Sequence, residues 1–379
     1  MSAARAEAER IAHDVALPLR DRTDREARWP AEVLRALGDA GLLGLHVPVE
    51  LGGLGLGLRA LVATCEALGR VCPSSALCFG MHCVGTAVLA AKATPLHRER
   101  YLRAIARGEH LTTLAVSETG TGSHFYLPRT TASRDGDDVL LHGQKGFVTN
   151  GAHADSYVVS TIASDAGDDP GRFSCHVVDA DRPGLSWGPE WAGLGMRGNS
   201  SRTLQLEGAR VPASSLLGAE GDQVWYVFEV IAPYFLCAMA GTYVGLAGGI
   251  LDVAIEHLRG RRHAHSGERL ADSPILQHRV AELWIAVNAP RALVHDAARR
   301  VDAGESDALV PVLASKAAVA DAVTLVANEA MTLCGGMAYQ ENALLARFLR
   351  DARAAHVMSP TTDLLKLWGG RALLGLPLL

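Results

Sequence analysis

The sequence predicts an α+β protein: an N-terminal α-helical domain, a central antiparallel β-barrel-like domain, and a C-terminal four- or five-helix bundle. Three observations predict it. Apolar residues recur at helical spacing at both ends of the chain, the middle switches to short alternating or β-branched runs, and 379 residues exceed what one core accommodates. The expected boundaries are 1–110, 111–217 and 218–379.

In the first segment Ala31, Leu34, Leu37 and Leu42 to Leu45 form an amphipathic repeat, broken by the Gly-rich stretch Leu51 to Leu56. Leu61 to Ala91 is long, apolar and rich in small residues, which suits one or two buried helices entered near Pro73 and Ser74. In the second segment Val139 to His142, Tyr157 to Thr161, Phe173 to Val178 and Thr203 to Glu207 read as strands. Turns rather than ~10-residue helices join them, which argues against a parallel nucleotide-binding sheet. After Gly218 the helical period returns in Gln223 to Leu258, Ser273 to Ala303, Ala308 to Cys334 and Ala343 to Ala355, with Gly304-Glu305-Ser306 as a clear loop.

With 49% hydrophobic, 20% charged and 5% aromatic residues, the composition is globular, and a net charge of −5 gives no pull toward nucleic acid. Seven scattered cysteines in mostly apolar runs suit buried thiols in a reducing cytoplasm rather than a disulfide framework. Cys78, His82 and Cys83 lack the second ligand pair of a metal site, so no metal is expected. Val71 to Ala91 and Val230 to Leu251 are free of charge over a membrane-spanning length, but their Pro residues and the acidic flanks Glu229 and Asp252 favour buried helices. The charged N-terminus does not read as an export signal.

Four strings carry chemistry. Ala115-Val116-Ser117-Glu118-Thr119-Gly120-Thr121-Gly122-Ser123 is a loop whose glycines and hydroxyl residues let main-chain N–H groups approach phosphate or a ring. The other three are Gly143 to Gly151 (GQKGFVTNG), Gly193 to Ser201 (GLGMRGNSS), and, in the bundle, Cys334 to Tyr339 with Arg347 to Arg353 (RFLRDAR). Taken in order along the chain, these strings resemble the acyl-CoA dehydrogenase family.

The resemblance implies tightly bound FAD and an acyl thioester substrate, carried on CoA or on an acyl carrier protein. It implies an electron-transfer flavoprotein or O₂ as acceptor, and a homotetramer or homodimer. It assigns FAD contacts to Val116, Ser117, Gly122, Ser123, Phe147, Thr149, Thr361 and Asp363, with the Thr149 hydroxyl toward the reactive flavin edge. Across a subunit interface it assigns Arg262, His263, Thr332, Gly335 and Gly336, of which His263 and Thr332 depart from the family's Arg and Gln.

The departures at the reacting carbon matter more. Dehydrogenation removes an α-proton, for which the family uses one Glu. Ser359 stands at the usual position, and Phe235 at the alternative position on the facing helix, with Leu236 in place of a neighbouring Arg. Neither Ser nor Phe is a competent base for this step. Glu229, His356 and Asp363 are nearby acceptors in sequence, each with an ordinary surface, filler or helix-end role as its alternative. His82 falls near the expected acyl tail, with a hydrogen-bonded core histidine as the other reading, and His124 follows the loop. The main-chain N–H of Ser359 survives as a donor to the thioester carbonyl. The expected activity is an FAD-dependent CH–CH oxidoreductase of specialised metabolism. The alternative is a flavin-dependent oxygenase or oxidase whose apolar site tolerates both missing carboxylates.

Overall fold

The computed structural model describes residues 2–122, 124–164, 173–219 and 225–378. Its helical N-terminal region holds α1 (Ser2–Ile11), α2 (Leu17–Arg25), α3 (Ala31–Asp39), α4 (Leu58–Gly69) and α5 (Pro73–Ala91). Pro73 at the first helical position of α5 needs no N–H partner there, and almost every residue from Pro73 to Leu89 is buried. The C-terminal bundle comprises five helices: α6 (Ala232–Gly260), α7 (Pro274–Asp302), α8 (Leu309–Cys334), α9 (Leu344–Val357) and α10 (Thr362–Leu373).

Three helical stretches are long and apolar enough to cross a membrane: Pro73–Ala91, Tyr226–Gly260 and Leu309–Met337. The first two are covered by protein. Gly241, Gly245 and Gly249 form a small-residue stripe on α6, and a Cβ on Gly245 would stand 2.2 Å from the Glu66 carbonyl oxygen of α4. The two helix backbones therefore touch, and α4 and α5 join the bundle in one continuous core.

Between the helical regions lies a sheet of eight strands, with path order β6–β7–β3–β2–β4–β5–β8 and β1 beside β4. The strands are β1 (Thr112–Ala115), β2 (Thr131–Asp135), β3 (Asp138–Val148), β4 (Ser156–Ala163), β5 (Phe173–Asp179), β6 (Leu185–Trp187), β7 (Arg202–Pro212) and β8 (Leu216–Leu217). Antiparallel pairing dominates, as expected, with β4 running parallel to both β1 and β2. β4 and β5 are buried over most of their length because helices and neighbouring strands cover both faces. The pairing of β3 with β7 shifts register between Lys145 and Val148, and this irregularity turns Phe147 out of the sheet.

Candidate active site

The loop after β1, the irregular end of β3, helices α5 and α6, and the turn between α9 and α10 enclose a cavity of about 640 Å³. Its sheet-side wall is the Val116–Gly122 segment. Gly120 (φ +97°) and Gly122 (φ +55°) sit in left-handed conformations that a side chain would strain, and nothing lies within 4 Å of where their Cβ atoms would project. Main chain rather than side chain thus forms this lip.

A buried ion pair fixes the loop. The Lys145 ammonium, fully buried on β3, donates to Glu118 Oε1 at 2.6 Å and to Ser160 Oγ at 2.9 Å. Glu118 also accepts from the Thr130 N–H (3.0 Å), the Thr130 hydroxyl (2.7 Å) and the Arg129 N–H (2.6 Å). Burial pushes the Glu118 carboxyl up, but Lys145 and these donors outweigh it and hold the carboxyl below its usual range. Glu118 is therefore an anchored anion whose acceptor sites are occupied, not a free base.

Phe147 adopts φ +55°, uncommon for a bulky residue, and is 67% exposed although it lines the cavity. Trp191 meets it edge to face at 6.2 Å and is held by its indole N–H donating to the Met196 carbonyl at 3.2 Å. The opposite wall is apolar: Leu77 and Met81 from α5, Ile231, and Phe235 from α6. The floor is the turn Val357–Thr361, where Ser359 Oγ is buried without a hydrogen-bond partner among the described residues. The Thr361 hydroxyl caps α10 by accepting the Leu364 N–H at 3.5 Å.

Among the residues singled out from the sequence, Val116, Ser117, Gly122, Phe147, Phe235, Ser359 and Thr361 meet at this cavity. Thr149 is buried just behind it, its hydroxyl 3.3 Å from that of the lining Ser201. Two expectations are corrected. Leu236 does not form the wall: it is fully buried in the bundle, because successive helical residues point about 100° apart and Phe235 takes the cavity-facing direction. His82 is not in the substrate pocket either. Its neighbour Met81 faces the cavity, while the fully buried His82 ring accepts from the Thr112 N–H (3.1 Å) and donates to the Leu43 carbonyl (2.9 Å). Burial lowers its pKa to about 4, so it is a neutral structural link between α5, β1 and the N-terminal region.

Arg262, His263, Thr332, Gly335 and Gly336 lie on the exterior of the single chain, away from the cavity walls. The Arg262 guanidinium donates to the Gly267 carbonyl, and the Thr332 hydroxyl to the Asn328 carbonyl. Asp363 is exposed in the first turn of α10, and Glu229 is exposed on the turn preceding α6. His356 lies 3.9 Å from Asp321, on the side of α9 facing α8 and α10. His124 is exposed beside Tyr126. Ser123 lies outside the described residues.

Sequence reasoning passed over Glu118, Lys145, Trp191 and Lys316. The first two stood inside quoted strings, and an acid and a base in adjacent cofactor segments were the available signal. Trp191 had none beyond being a lone aromatic before a Gly-rich turn.

Family models match this chain along most of its length: "Acyl-CoA dehydrogenase, N-terminal domain" over residues 2–109, "middle domain" over 113–209 and "C-terminal domain" over 237–374. The chain is 33% identical over 355 residues to cyclohex-1-ene-1-carbonyl-CoA dehydrogenase of Geobacter metallireducens, covering 93% of this chain and 92% of that one. An acyl-CoA dehydrogenase from Geobacillus kaustophilus superposes with TM-score 0.90 at 28% identity over 97% of this chain and 96% of that one. A chain solved in work on the electron transferring flavoprotein of Acidaminococcus fermentans superposes with TM-score 0.93 at 25% identity, covering 98% and 97%.

The protein belongs to the acyl-CoA dehydrogenase family. It is an FAD-dependent oxidoreductase acting on acyl thioesters. The cavity fits the cofactor: its volume is in the range of small-molecule sites, one wall offers main-chain donors, and the exposed Phe147 supplies an uncovered aromatic face.

Proposed function

We propose that this chain dehydrogenates an apolar acyl thioester at its C2–C3 bond without a carboxylate of its own at the reacting carbon. The observation that carries the reading is the composition of the cavity. Ser359 and Phe235 line it, and the only carboxylate on its walls among the described residues is Glu118, already committed to Lys145. FAD held beside Phe147 and Thr149 would supply the acceptor for the hydride equivalent leaving C3. Leu77, Met81, Ile231 and Phe235 hold the acyl group and keep water from it. The Ser359 N–H receives the thioester carbonyl oxygen, which acidifies the α-proton. With no side-chain base there, the α-proton passes to an acceptor brought in with the substrate, so the reaction favours acyl groups that carry one, and the more so where the α-proton is already acidified. The relative named for cyclohex-1-ene-1-carbonyl-CoA makes alicyclic acyl groups the first to try.

FAD contacts are assigned to Val116, Ser117, Gly122, Ser123, Phe147, Thr149, Thr361 and Asp363, with Arg262, His263, Thr332, Gly335 and Gly336 serving a neighbouring subunit. The exterior position of this second set is consistent with a homotetramer or homodimer. So are the exposed apolar side chains Ile275, Trp284 and Ile285 of α7, each more than half exposed. The electron acceptor is an electron-transfer flavoprotein or O₂, and the site of action is the cytoplasm, where the free, buried cysteines remain thiols.

The test is product analysis of FAD-loaded enzyme with alicyclic, branched and straight-chain acyl thioesters on CoA and on carrier protein. The expected product is the 2,3-unsaturated thioester, formed with a dye, a flavoprotein or air as acceptor. The absence of two basic groups also favours a second reading, that of an oxygenase. Incorporation of labelled oxygen from O₂ into product selects that reading, and peroxide release with unlabelled product excludes it.

A further inference from the structure

We propose that Lys316 is a positioning residue which acts through the backbone of the Met358–Thr361 turn: its ammonium polarises the peptide group that presents the Ser359 N–H to the thioester carbonyl. The inference rests on the acyl-thioester reading and adds to it a group that touches neither substrate nor cofactor.

Lys316 lies on α8 and is 1% exposed, and among the described residues no carboxylate pairs with it. Its Nζ donates to the Met358 carbonyl at 2.9 Å and to the Pro360 carbonyl at 2.8 Å. Those carbonyls belong to the peptide groups whose N–H ends are Ser359 and Thr361. Both groups are trans, the cis bond being Ser359–Pro360. In a trans peptide the N–H points opposite to the C=O, so carbonyls turned toward Lys316 send these two N–H groups away from α8. Ser359 and Thr361 line the cavity, and neither N–H has a protein acceptor among the described hydrogen bonds.

A cation bonded to the oxygen of an amide strengthens its N–H as a donor, and the effect is larger where water is excluded. Burying an ammonium without a counter-ion is costly, and a Leu or Met would fill the same space at less cost. A charge that recruits two carbonyls from one turn is accounted for by what those peptides do on their other side. In a site without a carboxylate base, polarisation of the thioester carbonyl is the remaining way to acidify the α-proton.

Burial lowers the Lys316 pKa to about 8. On the elements packed against α8, the charged or titratable groups nearest the turn are Tyr243 on α6, Asp351, Arg353 and His356 on α9, and Asp363 and Lys366 on α10; Asp321 is on α8 itself, and Arg279 of α7 pairs with Glu329 farther along. Burial holds His356 below its usual value and the Tyr243 phenol above its own, so neither titrates in the window where Lys316 loses its proton.

The experiment uses the FAD-loaded enzyme and para-dimethylaminocinnamoyl-CoA, an enoyl thioester whose absorption moves to the red as its carbonyl is polarised. The expected result is a red shift at about pH 7 that falls by at least about half between pH 7 and 9.5. In K316R, which keeps its charge, the shift persists across that range; in K316M it is less than half the wild-type value at every pH, with the probe still bound. Equal shifts in wild type and K316M, or a pH-independent shift in wild type, overturn the role of Lys316. A probe that does not bind wild-type enzyme overturns the acyl-thioester reading itself. Should K316M fail to fold, the pH arms on wild type and K316R decide alone.

Discussion

Glu118 and Lys145 show how two residues decide the shape of a loop that walls a cavity. The pair is buried, with Arg129 and Thr130, just before β2, donating to Glu118 and Ser160 of β4 accepting from Lys145, so removing one partner leaves the other charged and unsolvated. Lys145→Met is expected to cost about 3–5 kcal/mol of stability in denaturant unfolding, and Glu118→Gln less, because an amide still accepts from Thr130 and Arg129. The sign with pH follows from the Glu118 carboxyl lying below its unfolded value: its contribution is present above about pH 4.3 and fades as pH falls through the lower folded value. Unfolding midpoints measured between pH 3 and 6 should therefore show a shallower acid loss in Glu118→Gln than in the wild type. The sequence displays both residues but not their pairing, since 27 positions separate them and only the docking of the loop after β1 against β3 brings them together. Leu236 and His82 teach the converse. Family position placed each near the substrate; on α6 the expected Phe235 faces the cavity without Leu236, and on α5 Met81 faces it where His82 was expected.

At the level of elements, most of the architecture was legible, because strand runs such as Tyr157 to Thr161 and helical runs such as Ser273 to Ala303 have unambiguous periods. What periodicity does not encode is how elements dock. The α7 residue Asp302 supplies the N-terminal cap of α4, its carboxylate accepting the Leu58 N–H at 2.6 Å and the Arg59 N–H at 3.0 Å. A cap lent from 244 residues away has no local signature. Asp302→Ala is expected to lower stability by about 1 kcal/mol, read as a fall in thermal midpoint with flavin content unchanged. The α4–α6 contact is less forgiving. A methyl at Gly245 would meet the Glu66 carbonyl oxygen at 2.2 Å, so Gly245→Ala must separate α4 from α6, at a cost of about 1–3 kcal/mol or more. Chemical denaturation resolves the two cases, and a Gly245→Ala midpoint equal to wild type would mean that the helices are not in backbone contact.

Over the whole molecule, the seven cysteines are free and buried, and burial pushes Cys65, Cys175 and Cys237 up to about 12. A thiol raised in the folded state contributes stability that is complete below the unfolded pKa of about 8.5 and is lost as pH rises toward the folded value. Lys145 and Lys316, lowered by burial, act in the opposite sense, but they are fewer than the raised thiols, so stability should fall steadily above about pH 8.5. A thermal midpoint that holds level from pH 8 to 10 would contradict this. The proposed assembly is tested at the exposed Trp284 of α7: Trp284→Glu is expected to shift light-scattering mass toward the protomer. All of this bears on one cavity, an apolar space walled by the loop after β1 on one side and by Phe235 and Ser359 on the others. The most direct test is anaerobic mixing of the yellow, FAD-loaded enzyme with alicyclic and branched acyl-CoA thioesters while absorbance is followed near about 450 nm. Bleaching of the flavin by a saturated or partly saturated acyl thioester, with no reducing agent present, is the predicted result; a flavin that stays yellow with every thioester offered, though chemically reducible, would contradict the account.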